Sequence, residues 1–304
     1  MEGGLVRGTA WREVGVFEIG KPDLTPETRK ELPGDFVELS VGVTHYELRG
    51  DTNSRTVVLI HGNAAPYVTW DNTIGDLCDA GFRVLRYDVI GHGFSDRPRL
   101  STYDTQLYNT QLAELVDHLG IPYPILVVGT SQGGSIGACF ASKHPGEVEK
   151  LALLSPFFDD FEGSGSVFAR LGKTPIVGQA AFQLVPDAKI SDLSERLASA
   201  DKRAILEPQV AEQMRFRGKR RAMWANWRGD ALTDATPCYE GVKAQGIPTL
   251  LTWGTQDKLL TGDSMSRLRD LLPDIEYHEI EGASHLAHYE FPDRINPILI
   301  RFLE

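Results

Sequence analysis

An α/β domain with a mostly parallel sheet, helices on both faces and a helical cap inserted after the sixth strand is the fold class this sequence predicts. Three observations carry the prediction. Short apolar runs alternate with helix-spaced segments on both sides of residues 159–235. Within that segment the alternation stops. Between them lies Gly129-x-Ser131-x-Gly133, placed between a strand-like run and a helix-like run, the context in which a sharp turn presents a reactive serine.

The elements follow in order. Residues 1–34 carry glycine, proline and charge with weak periodicity, and are expected to form an N-terminal extension that packs loosely or is partly disordered. Residues 36–40 and 43–48 alternate as exposed antiparallel strands do, with Gly42 at the turn. The β-branched run 56–60 reads as a strand buried on both faces and ends in His61-Gly62-Asn63. A helix over 70–80, a strand over 83–87 and a helix over 103–119 follow. Residues 125–128 form the strand before Ser131, and 135–144 the helix after it, stopped by Pro145 and Gly146. A strand over 151–154 leads to Phe157 and Phe158. After the insertion come a strand over 248–253, a helix over 263–272, a strand over 276–280 and a last helix from about residue 291. The core is therefore 35–158 and 236–304, with 159–235 as cap.

Composition limits the function classes. Of the 304 residues, 41% are hydrophobic and 24% charged, enough for a sizeable core. A net charge of -11 disfavours nucleic acid and anionic membrane surfaces as partners. Cys78, Cys139 and Cys238 are widely spaced and odd in number, so no disulfide framework or metal-ligand pattern is expected, only thiols in a reducing compartment. The first residues lack the blocks of a signal peptide, and no apolar run approaches the roughly 18 residues of a membrane span. The expectation is a cytoplasmic protein with no membrane span and no cofactor or metal. Nothing in the sequence sets an oligomeric state.

In a parallel sheet, chemistry gathers at the carboxyl ends of the strands. Ser131, Asp257 and His285 all stand just past predicted strand ends, so folding would bring them to one edge. Serine is a poor nucleophile without a base within about 3 Å. An imidazole takes and returns a proton near neutral pH, which makes His285 the expected base. His288, three residues on, is the alternative.

These residues together resemble the α/β-hydrolase superfamily. His61-Gly62 follows the third strand, the Ser131 turn the fifth, Asp257 the seventh and His285 the eighth; residues 86–96 look like that family's loop after strand four. The order nucleophile, acid, histidine is also the family's. The resemblance implies that Asp257 orients His285, with Asp159 and Asp160 as alternative acids. It implies an oxyanion hole from the main-chain amides of Gln132 and Asn63, with Ala64 as the other candidate donor. His61 resembles a histidine that braces the oxyanion loop. A serine at position 131 argues against dehalogenases and epoxide hydrolases of this family, which need a carboxylate there.

The expected activity is hydrolysis of a small-molecule carboxylic ester through an acyl-enzyme. Carbon–carbon bond hydrolysis of a meta-cleavage product and cofactor-free perhydrolysis are alternatives, and a ligand-binding receptor on the same fold is the non-enzymatic one. Phe157, Phe158 and Trp224 are candidate substrate contacts. The basic run Arg215, Arg217, Lys219, Arg220 and Arg221 is expected to be a solvated helix face, with a carboxylate- or phosphate-bearing substrate as the alternative reading.

Overall fold

The computed structural model describes residues 18–63, 65–159 and 167–304. Its centre is one eight-stranded sheet. The strands are β1 (Asp35–Leu39), β2 (Gly42–Arg49), β3 (Thr56–Ile60), β4 (Arg83–Tyr87), β5 (Ile125–Ser131), β6 (Val148–Pro156), β7 (Thr249–Gly254) and β8 (Glu276–Ile280). They lie in the order β1-β2-β4-β3-β5-β6-β7-β8. β2 is antiparallel to both β1 and β4, and every other neighbouring pair is parallel. This is an α/β-hydrolase fold.

Side chains alternate across the sheet, which splits the core in two. Val58, Ile60, Val127, Leu151 and Leu251 face one side; Val57, Leu59, Val128, Ala152 and Leu250 face the other. Because parallel strands are buried on both faces, β3 is fully buried along its length. After the short helix α1 (Pro26–Arg29), α2 (Ile74–Asp79) covers the second face, together with the last helix of the chain. The first face is covered by α3 (Thr105–His118) and α4 (Gln132–Lys143). The helix expected over 70–80 is instead a 3-10 helix, Tyr67–Trp70, followed by a turn and α2.

Between β6 and β7 lie α5 (Val167–Gly172), α6 (Val177–Gln183), α7 (Asp187–Ser191), α8 (Ala200–Glu212), α9 (Lys219–Arg228) and α10 (Thr236–Ala244). The chain then completes α11 (Gly262–Leu271), α12 (Ala287–Glu290) and α13 (Pro292–Leu303). α10 packs beside α4, and Cys139 and Cys238 are joined there in a disulfide across 99 residues of sequence. This corrects the expectation of three thiols. Spacing along the chain does not show that two helices far apart in sequence lie side by side. The bond also removes the cysteine argument for a reducing compartment. Among the described residues, no helix is long and apolar enough to cross a membrane.

The basic run is a solvated face only at Arg215 and Arg217, which are exposed. Lys219 and Arg220 are buried, and Arg220 donates to the Val185 carbonyl and pairs with Asp187. Arg221 donates to the carbonyls of Pro98 and Arg97, while Arg97 returns bonds to those of Phe216, Arg217 and Gln213. Guanidinium groups thus staple the insertion to the loop after β4, where they satisfy carbonyls that burial would leave without water. Residues 18–34 are tied down as well: Arg29 pairs with Asp96, Lys21 with Asp187, and Glu18 accepts from the Gly218 amide. Residues 1–17 of the expected extension lie outside the described residues.

Candidate active site

The turn after β5 is built by close approach. A Cβ on Gly129 would fall 2.3 Å from the Gly133 carbonyl oxygen, and one on Gly133 would fall 2.1 Å from that of Ile60. Only glycine lets the chain reverse here while β3 runs alongside. Ser131 itself takes φ 52° and ψ -124°, a conformation that costs a non-glycine residue on the order of 1–3 kcal/mol. That strain lifts the side chain off the sheet edge. Gly62 faces it, and a Cβ there would lie 2.9 Å from Ser131 Cβ.

Asp257 and His285 come from the turns after β7 and β8. His285 Nδ1 lies 2.8 Å from Asp257 Oδ2, and both side chains are buried. Burial alone would push the Asp257 carboxyl pKa up. His285 and the amides of Leu259 and Leu260, at 2.8 and 3.1 Å from Oδ1, outweigh it and hold the carboxyl below its ordinary value. An ionised carboxylate only accepts, so Nδ1 is the donor in this pair. Ser131 and His285 line one cavity of about 80 Å³.

The alternatives are placed elsewhere. His288 Nε2 meets Thr69 Oγ1 at 3.0 Å, its ring lies against Trp70, and burial lowers its pKa to about 3. Asp159 is engaged by Ser264 and Arg267. Asp160 and Ala64 lie outside the described residues.

Of the two residues expected to form an oxyanion hole, Asn63 is on the cavity wall and Gln132 follows Ser131 directly in the chain. Gln132 is the first residue of α4, so its amide is one of the N–H groups without an intrahelical partner. Asn63 lines the cavity. His61 braces the loop: its Nδ1 lies 2.7 Å from the Gly62 carbonyl, and its Nε2 accepts from the Val89 amide at 2.9 Å. Burial lowers the His61 pKa to about 4, so it stays neutral in that role.

One residue of this network escaped the sequence reading. Asn226, fully buried on α9, donates from Nδ2 to Asn63 Oδ1 at 2.9 Å and to Gln132 Oε1 at 3.1 Å. Its Oδ1 accepts from Gln132 Nε2 at 2.8 Å and from Tyr108 at 2.7 Å. A single amide from the insertion therefore ties together both residues expected to hold the oxyanion. The available signal was one amide inside the apolar stretch Trp224-Ala-Asn-Trp227. Replacing Asn226 by leucine is expected to lower kcat on the order of 10- to 100-fold with a smaller change in KM, because it loosens donor placement. Steady-state kinetics beside a thermal melt checks this. A variant that melts earlier but keeps its kcat would rule out the positioning role.

Phe157, Phe158 and Trp224 do not line this cavity. All three are buried: Phe158 meets Tyr239 edge-on, and Trp224 donates to the Gly172 carbonyl under the Arg228 guanidinium. Phe157 donates its amide to the Ser131 carbonyl at 2.9 Å and so supports the turn from behind. Among the described residues the cavity wall is instead Ala65, Leu232, Leu259, Leu260 and Leu286, with Arg196 as the one lysine, arginine or acidic residue. Trp224 and Trp227 pack within the insertion, against Gly172 and Phe182. Among the described residues no group of three or more His, Cys, Asp or Glu is placed to hold a metal ion.

Comparison with known proteins places this chain in a family. Residues 55–292 match the alpha/beta hydrolase fold family, and the chain belongs to it. Its relatives include the Escherichia coli (strain K12) 2-hydroxy-6-oxononadienedioate/2-hydroxy-6-oxononatrienedioate hydrolase, 29% identical over 262 residues that make up 82% of this chain and 86% of that protein. Among solved structures, the enol-lactonase from Burkholderia xenovorans LB400 superposes with TM-score 0.73 at 23% identity, covering 88% of this chain and 99% of that one. A thermophilic esterase from Thermogutta terrifontis gives TM-score 0.73 at 21% identity, covering 90% and 98%. At such identities these two report the shared fold.

Proposed function

We propose that the protein is a serine hydrolase that cleaves carboxylic esters through an acyl-enzyme. The observation that carries this is the meeting of Ser131 and His285 in one cavity while His285 Nδ1 rests on Asp257. In the proposed reaction Ser131 Oγ attacks the ester carbonyl and His285 Nε2 takes its proton. The amides of Gln132 and Asn63 hold the oxyanion. The C–O bond breaks as the imidazolium protonates the leaving alcohol. Water, deprotonated in turn by His285, then attacks the acyl carbonyl and releases the acid and the serine. Helices α5–α9 act as the cap over this site, and Asn226 is its contact with the oxyanion loop.

A second reading, hydrolysis of a carbon–carbon bond in a 2-hydroxy-6-oxo dienoate, is favoured by the relative from Escherichia coli, whose name states a substrate of that kind. One panel separates the two: 4-nitrophenyl esters from acetyl to palmitoyl, with a 2-hydroxy-6-oxo dienoate followed by loss of its absorbance. A cavity of about 80 Å³ is small beside the roughly 300–1,000 Å³ of drug-sized ligand sites. Esters of short acids are therefore expected to give kcat/KM at least tenfold above palmitoyl esters. Turnover of the dienoate with no ester cleaved would replace the first reading by the second.

A further inference from the structure

Among the described residues, Arg196 is the one lysine, arginine or acidic residue that lines the Ser131 cavity, which is otherwise leucine, alanine, glycine, Asn63 and His285. Its backbone is held beside the histidine: the Arg196 carbonyl accepts from the Leu286 amide at 2.9 Å and lies 3.0 Å from Ser284 Oγ. These two residues flank His285, so the guanidinium is registered to the same turn that positions the base. Glu290 reinforces the turn, accepting from the Ser284 amide and hydroxyl and, across to the insertion, from the Ser199 amide.

The guanidinium itself has little to do within the protein. Nη1 reaches the Asp192 carbonyl at 3.3 Å, and among the described residues no carboxylate forms an ion pair with it. Asp192 turns its own carboxylate to the Ser194 amide and to Lys189, and Glu195 is exposed. Arginine carries five N–H donors in a planar fork suited to a carboxylate. Burial presses on this charge, against Glu195 and Asp192 nearby. Most arginines of the insertion, by contrast, are spent on carbonyls or acidic partners, as Arg220 and Arg221 are.

We propose that Arg196 binds a carboxylate of the substrate, so that the protein takes short esters bearing a free acid group. The proposal rests on the serine hydrolase reading for which bond is broken, and adds what the molecule carries at its other end. An acid on the acyl side and one on the alcohol side share this chemistry, and the test has an arm for each.

Catalysis and recognition are read separately. Wild-type protein is assayed on the 4-nitrophenyl monoester of glutaric acid against 4-nitrophenyl pentanoate, and on carboxymethyl butyrate against ethyl butyrate. The Ser131→Ala protein is titrated calorimetrically with monomethyl glutarate against methyl pentanoate, which needs no turnover. The acid member of at least one pair is expected to be favoured on the order of 10- to 100-fold, as for a hydrogen bond to a charged group. Arg196→Met should bring that ratio to about one, Arg196→Lys should keep part of it, and circular dichroism should show both variants folded. Equal treatment of acid and neutral members by the wild type overturns the proposal, as does an unchanged ratio in Arg196→Met. Labelling of Ser131 by a fluorophosphonate tests the underlying reading: labelling with no acid preference removes only the role of Arg196. Tighter binding of the acid to a protein whose Ser131 does not label keeps that role and removes the hydrolase.

Discussion

Ser131→Ala is expected to lower kcat for the best ester substrate on the order of 10⁴- to 10⁶-fold, with the fold intact. The size follows from what the serine does. In the proposed mechanism it supplies the bond that turns one difficult displacement into two easier ones, and among the described residues no other hydroxyl or thiol lines the cavity. His285→Ala should cost about as much, and the double variant little more than either single one, because base and nucleophile act as one unit. Asp257→Asn should cost less, on the order of 10⁴-fold. The carboxylate sets which imidazole nitrogen carries the proton, and an amide in its place can stabilise the wrong tautomer. Progress curves with a nitrophenyl ester, beside fluorophosphonate labelling of each variant, measure all four. Retention of more than a few per cent of wild-type kcat by Ser131→Ala would remove the serine from the mechanism.

The second large effect is on stability. His61 and His288 are buried, and burial moves their pKa values from the ordinary 6.5 to about 4 and about 3. Burial also holds His92 well below its ordinary value. The sign follows from proton counting. Between pH 6.5 and each lowered value the unfolded chain binds a proton that the folded chain refuses, so stability falls as pH falls. Above 6.5 both states are neutral and the contribution is complete; below the folded value both are protonated and the loss levels off. His61 alone accounts for about 3 kcal/mol across its window. Most domains have roughly 5–15 kcal/mol in total, so the protein should unfold in mild acid. Urea midpoints at pH 7.5, 6.5, 5.5 and 4.5 are expected to drop steeply below 6.5. Asp257 and the buried Asp88, both held below their ordinary values, add losses at lower pH, as they protonate. His288→Leu should decline less steeply over the same range. A midpoint constant from pH 7.5 to 5 would show that the histidines are not buried neutral.

The first prediction rests on residues whose places follow from local physics. The glycines around Ser131 are legible because the clash that demands them lies within one turn and its neighbouring strand. Asp257 and His285 are legible because each stands just past a strand, the apolar run of β7 and the mixed run of β8, and parallel strands bring their ends to one edge. The β-branched run of β3 announces burial on both faces in the same way.

Residues 167–235 obey no comparable rule. Asn226 reaches Gln132 across 94 positions and Asn63 across 163, and the disulfide closes 99. Lys219, Arg220 and Arg221 read as solvated until Asp187 and the carbonyls of the β4 loop are placed around them. Phe157, Phe158 and Trp224 look like a substrate wall until they are seen packed inward, leaving leucines and Arg196 around the cavity. The amino-acid sequence by itself determined the sheet, the turn at Ser131 and the order of the groups proposed for chemistry, because periodicity and glycine sterics act between near neighbours. Only the tertiary structure decided what those groups face. The walls of the cavity come from several loops, and their meeting depends on how helices pack rather than on any pattern along the chain.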